Sequence, residues 1–248
     1  MEYILKNRAE KEGFLKALTN NQVLLIPEND LERETLLQIS EITIDTKLTS
    51  NFNQDIWTID SKGFFFTKMV LDKIAKAGGV KFIDSTLLLR NEGEDKRATY
   101  VKHKIKYECL NPDGTSHLGS VTGEYSYYDD LQRIKYQSEI MVNNKILHRK
   151  GEIIQDLINQ RRNYSGSVAE GNAKRKALSE IFPRLKKPFY LSELSGGILV
   201  GKIRYNTKLI LKKNPELRRA YVASMLNIGR LISYTHHDLK TDFKEIQS

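Results

Sequence analysis

The sequence predicts an α+β fold: a helix followed by a three-stranded antiparallel sheet with a β-hairpin, packed by a basic helix, and then a helical C-terminal part. Three observations carry this reading. Phe66, Val70, Ile74 and Ala77 recur at helical spacing and are followed by Gly78-Gly79 as a stop. Residues 98–111 alternate strictly and run into Asn111-Pro112-Asp113-Gly114, a turn with proline at its second position and glycine at its fourth. Apolar residues of the helix over 168–182 form one arc, and Pro183 stops it.

In chain order, residues 1–60 read as a helical or irregular segment. Asn29-Asp30 before residues 31–37 fits a short capped helix, and residues 55–59 fit a short strand. The core spans residues 61–190. Within it, residues 80–90 are rich in aliphatic and β-branched side chains, residues 91–97 form a polar loop, and residues 116–127 return as a further strand. After Asp129-Asp130 the pattern turns polar and helical, with a break at Val142-Asn143-Asn144. Residues 191–248 read as a helical region whose main helix covers 215–233, with Leu217, Tyr221, Met225, Ile228 and Ile232 along one side.

Charge is distributed unevenly along the 248 residues, whose net value is +9. Residues 1–144 carry 19 Lys and Arg against 22 Asp and Glu, whereas residues 145–248 carry 21 against 9, a net +12. Such a local excess suits a polyanion-binding surface, because neutralising phosphates releases condensed counterions. Nucleic acid is favoured over anionic lipid, since no strongly amphipathic basic helix with aromatic anchors is evident. A single cysteine, Cys109, rules out an internal disulfide framework, and there is neither a signal-like stretch nor a long apolar run. The expectation is a cytoplasmic protein with no membrane association and no cofactor.

Candidate binding residues fall in three groups. On the strand over 98–111, Lys102, Lys104 and Lys106 share one face and Val101, His103, Ile105, Tyr107 and Cys109 the other. Lysines about 7 Å apart match the phosphate spacing of an extended strand or simply face water. Lys174, Arg175 and Lys176 lie on the basic helix, with Lys174 inside the apolar arc, where it must snorkel or meet an anion. Arg161, Arg162 and Tyr164 combine guanidinium groups with an aromatic ring, as suits an unpaired strand.

Other motifs carry less. The glycines and lysine of residues 196–203 have phosphate-loop spacing, but Ile203 stands where a magnesium-binding hydroxyl is needed. His236-His237-Asp238 reads as a polar tail, because three consecutive side chains rarely converge on one ion. Asp84, Glu108, Glu124, Asp129 and Asp130 offer carboxylates for a two-metal nuclease, the main enzymatic alternative. A structural protein with an incidental basic surface is the third reading.

The order of elements resembles the phage single-strand annealing proteins of the RecT and Red-beta type. The residues that carry the likeness are Ala75-Lys76-Ala77-Gly78-Gly79-Val80, Leu87-Leu88-Leu89-Arg90-Asn91-Glu92-Gly93, and the basic helix 173–182 closed by Pro183. The hairpin over 98–127 is similar to the one shared with Rad-fifty-two annealing proteins. The likeness covers about residues 62–190, and it lies more in element order than in identities. Residues 129–165 have no counterpart in the family, and Ser179-Glu180 stand where such helices carry further basic residues. The resemblance implies a Rad-fifty-two-like core and ATP-independent binding and annealing of single-stranded DNA, without enzymatic bond chemistry. It also implies rings or helical filaments of one chain, a partner exonuclease, and the cytoplasm of a bacterial host as the location. Lys174, Arg175 and Lys176 fall on the family's basic helix, and Lys102, Lys104 and Lys106 on the hairpin side.

Overall fold

The structure is a computed structural model. It describes residues 2–18, 21–27, 36–48, 53–58, 63–111, 115–136, 139–142, 145–148, 151–204, 211, 215–216 and 218–226. Residues 1–204 form one compact unit and residues 205–248 a second. The class is α+β. The expected divisions at residues 60 and 190 both fall inside the first unit.

The chain opens with β1 (Glu2–Leu5), α1 (Arg8–Ala17), β2 (Val23–Leu25) and β3 (Leu36–Ile42). Asn7 caps α1 by accepting the Glu10 amide, leaving fewer free donors in its first turn. Next come β4 (Ile56–Thr58), β5 (Phe64–Phe66), α2 (Lys68–Gly78) and the long strands β6 (Lys81–Glu92), β7 (Ala98–Leu110) and β8 (Ser116–Ser126). Beyond them lie α3 (Tyr127–Tyr136), β9 (Glu139–Val142), β10 (Lys145–His148), α4 (Gly151–Asn163) and α5 (Ser165–Ile181). The unit closes through a 3-10 turn (Pro183–Lys186), α6 (Leu191–Leu194) and β11 (Ile198–Arg204).

Two sheets dominate. The meander β6-β7-β8 is antiparallel throughout, as the alternation predicts. A four-stranded sheet has the order β1-β3-β11-β2, in which only the β11–β2 pair is parallel. This second sheet corrects two expectations. Leu36 and Leu37, read as the end of a short helix, begin β3 and pair with Arg204 and Ile203; residues 28–35 lie outside the described residues. Residues 198–204, expected within a helical region, form the strand that joins β3 to β2. Gly197, at φ 86, turns the chain into β11, so the glycines of the phosphate-loop spacing serve a sheet. The expected break at Val142-Asn143-Asn144 lies between β9 and β10, which pair antiparallel; residues 143 and 144 are themselves outside the described residues.

The main core joins both sheets. Val70, Leu71 and Ile74 of α2, Tyr107 of β7, Leu178 and Phe182 beside α5, and Ile198 and Val200 of β11 belong to one buried cluster. Each fully buried aliphatic side chain contributes about 1.5–3 kcal/mol. Gly79 adopts φ 73 and ends α2 as the sequence indicates. Its neighbour Gly78 has a different reason: a Cβ there would sit 2.5 Å from Phe182 Cζ.

α5 lies over β7 and β8 and leaves β6 uncovered. Its buried stripe is small, Ala169, Ala173 and Ala177, and it faces Gly123 on β8. A Cβ at Gly123 would lie 2.1 Å from the Ala173 amide nitrogen and 2.2 Å from the Ala169 carbonyl oxygen. The obstacle would be backbone, which cannot rotate away. Close approach brings α5 to the β8 edge, where Asn172 donates to the Glu124 carbonyl (2.8 Å) and Lys176 to the Thr122 carbonyl (2.9 Å).

In the second unit residues 218–226 are helical, with Tyr221 and Met225 exposed. Leu217, Ile228 and Ile232 of the expected apolar side lie outside the described residues.

Gly123→Ala should cost at least about 3 kcal/mol, at the upper end of overpacking penalties, lowering the melting temperature by about 6–12 °C for a domain of this size. Differential scanning calorimetry measures this directly; a melting point within a degree of the parent would contradict the backbone contact.

Candidate nucleic-acid interface

Consecutive basic residues on a helix point about 100° apart, so the three on α5 cannot act as one patch. Lys174 turns inward. Its side chain is 9% exposed, and its ammonium lies 2.6 Å from Asp72 of α2 and 3.3 Å from Glu170. Lys68 of α2 also reaches Glu170, at 2.5 Å, closing a four-residue network between the helices. Although burial alone would raise it, Lys68 and Lys174 hold the Glu170 carboxyl below its ordinary value. The anion Lys174 meets is therefore the chain's own, which corrects the expectation of an external phosphate. Lys176 leads to the β8 edge, exposed, while keeping its bond to Thr122.

Arg175 faces a cleft walled by α3, α4, α5, β4, β5, the end of β8 and the 3-10 turn. Its guanidinium sits 4.9 Å from the Phe65 ring centroid and has no carboxylate partner among the described residues. Burial, then the nearby charges of Arg133 and Arg161, push its pKa down. Arg161 lies 5.1 Å from the Trp57 ring centroid and donates to both oxygens of Asp130, at 2.5 and 3.2 Å. Lys176 and Lys186 also line this cleft of about 470 Å³. Tyr125 stands on its wall with a buried hydroxyl that has no hydrogen-bond partner among the described residues. Burial, with the Asp130 charge, pushes that phenol up to about 12.

Arg162 does something else. It donates to both oxygens of Asp95 (2.5 and 2.8 Å) and to the Ala98 carbonyl (2.9 Å), and stacks 4.4 Å from the Tyr127 ring. The residue fixes the β6–β7 turn to α4, and its donors are occupied. Tyr164, 68% exposed, lines a second and larger cavity beside the cleft.

Lys102, Lys104 and Lys106 stand on the sheet face opposite α5, because α5 packs on the face of Val101 and Tyr125. Lys102 pairs with Glu124 at 3.1 Å and Lys106 with Asp84 at 3.8 Å, while Lys104 lies between Thr86 and Thr122. Hydrogen bonds from Lys102 and Tyr100, with the Lys176 charge, hold Glu124 below its usual value. The hairpin lysines and the basic helix therefore lie on opposite sides of the meander. Arg161, Arg175 and Lys176 come together; Lys102, Lys104, Lys106, Lys174 and Arg162 do not join them.

The structure adds Trp57, Phe65, Arg133 and Lys186, none singled out as a site residue from sequence. Trp57 is the only tryptophan in the chain, which was the one signal available, but nothing local connects it to residues a hundred positions away. Of the carboxylates weighed for a nuclease, Asp84, Glu124 and Asp130 are each paired with a cation. Among the described residues no group of three His, Cys, Asp or Glu is placed to hold a metal ion, and no helix is long and apolar enough to cross a membrane.

Lys174→Ala should destabilise the fold by on the order of 2 kcal/mol, less than a fully buried pair loses, because Asp72 is half exposed. An unchanged denaturant midpoint would contradict this. Since Glu170 titrates below its usual 4.5, its contribution is complete above that pH and is lost as the pH falls through the lower folded-state value. Glu170→Gln should therefore flatten the acid limb of the stability profile, as urea titrations between pH 6 and 3 would show.

A scan against protein-family models finds no match, and searches of the curated proteins and of the solved structures find none either.

Proposed function

We propose that the chain binds single-stranded nucleic acid along the α5 cleft and anneals complementary strands without ATP, acting as a binding protein and not as an enzyme. The observation that carries this reading is the convergence of Arg133, Arg161 and Arg175, with Lys176 and Lys186, beside Trp57 and Phe65; of the carboxylates that line the same cleft, Glu124, Asp129 and Asp130, only Asp130 is bonded to one of the three arginines among the described residues. Like charges held together in a partly desolvated cleft repel, and a row of phosphates relieves that repulsion while aromatic rings accept bases. Annealing needs no more than this, because base pairing supplies the driving force. The preferred partner is single-stranded DNA, with annealed duplex as product.

The RecT-like reading, with its Rad-fifty-two-like core, is part of the same proposal. What supports it is the succession of α2, the β6-β7-β8 meander and the small-residue face of α5 packed on that meander. Self-assembly of copies is also proposed, and β6 supports it. Its twelve residues are almost wholly exposed, and Ile83, Leu87, Leu88 and Leu89 lie at the surface. Apolar side chains on an uncovered edge strand favour pairing with another chain.

Two measurements test the proposal. For the parent protein, affinity for an oligonucleotide should fall steeply with salt, and Arg175→Ala should weaken it while reducing the log–log slope by about 1. Complementary oligonucleotides should pair faster with the protein present and no ATP, and both strands should stay full length. Shortened strands in magnesium, or a slope of zero, would reject the reading.

A further inference from the structure

Beside the cationic cleft lies a cavity of about 840 Å³. Its lining is mostly hydrocarbon, including Phe66, Leu71, Ile134, Leu157 and Val168, with Tyr164 among the lining residues. Trp57, Arg161, Val168, Asn172 and Arg175 line both spaces, so the cavity and the cleft share one wall. That wall carries two guanidinium groups and the indole.

An occupant suited to both spaces has a compact anion joined by a short tether to a flat, weakly polar body. Phosphates alone satisfy the cleft and leave the hydrocarbon lining unused; an uncharged apolar molecule does the reverse. A nucleotide within a strand satisfies both, since its phosphate and its base are one sugar apart. We infer that the cavity receives one unpaired base of a bound single strand, against Trp57, while the adjacent phosphate lies on Arg161 and Arg175. This rests on the reading of the cleft as the phosphate site.

Selection for single strands follows. A base in duplex enters only after leaving its stack and its partner, at a cost of a few kcal/mol, whereas an unpaired base enters without that cost. One base per chain is withheld from pairing, and the bases on either side remain available to a complementary strand.

Trp57 makes the inference measurable, because it is the sole tryptophan and its emission reports this wall alone. The full chain is titrated at low salt with a thymidine oligonucleotide, with an abasic strand of equal length, and with the matching duplex. End-label anisotropy measures binding in parallel. The oligonucleotide should quench Trp57, whereas the abasic strand should bind about 10-fold more weakly, the loss of roughly one base–aromatic stack, without quenching. A plugged variant, Gly171→Phe, supplies the second arm. Gly171 lines the cavity and not the cleft, and a Cβ there meets only Lys68 Cβ at 3.9 Å, an ordinary contact. Gly171→Phe should bind the abasic strand as the parent does and lose the tenfold preference for bases. Equal binding and equal quenching by both strands, or a full base preference in Gly171→Phe, would overturn the base site and leave the phosphate cleft standing. If neither strand binds, both readings fall.

Discussion

The approach of α5 to β8 at Gly123 is the constraint on which the rest of the structure depends. Two backbones meet there with no side chain between them, and the alanine stripe 169, 173 and 177 keeps the helix at that distance. A helix so close can hydrogen-bond the outward carbonyls of the edge strand, and Asn172 and Lys176 do so. The β8 edge is thereby covered, while β6 at the other end of the meander is left uncovered. One contact thus fixes where the helix lies, which edge is protected and which residues face the cleft.

The distribution of charge follows from that placement. Lys174, Arg175 and Lys176 are adjacent in sequence, yet helical geometry sends one to α2, one to the cleft and one to the sheet edge. The same divergence separates Arg161 from Arg162 on α4: one reaches Asp130 and Trp57, the other Asp95 and Tyr127. Lys174 and Arg162 are therefore occupied inside the chain, one holding α5 to α2 and the other the β6–β7 turn to α4. Among the described residues Arg175 has no carboxylate partner, and the proposed cleft reading centres on it. Its guanidinium lies 4.9 Å from the Phe65 ring centroid, and burial with the charges of Arg133 and Arg161 pushes its pKa down.

Trp57 and Phe65 enter this set from the small β4–β5 hairpin, far from α5 in sequence. The cleft is thus a product of packing between distant segments, and its aromatic side is contributed by elements whose local pattern is too short to assign a role. Arg133 is similar: it sits on α3 in a polar stretch with no feature that marks it out, and becomes notable only through its effect on Arg175.

Local pattern determined most of α2 and its glycine stop, the three strands of the meander, and α5 with its proline stop, because each is specified by residues within a dozen positions of one another; Phe66, read as the start of the α2 spacing, instead ends β5. It also determined that Lys174 falls among apolar neighbours, where it must snorkel or meet an anion. Tertiary structure alone decided that Asp72, about a hundred residues away, is an anion Lys174 meets, and that Lys102, Lys104 and Lys106 lie on the sheet face opposite the one covered by α5. It alone made β11 the strand that links β3 to β2 and so joined β1, β2 and β3 to the core. The physical reason is range: helix and strand signals are local, whereas strand partners and ion pairs are chosen by whichever surfaces the folded chain brings together.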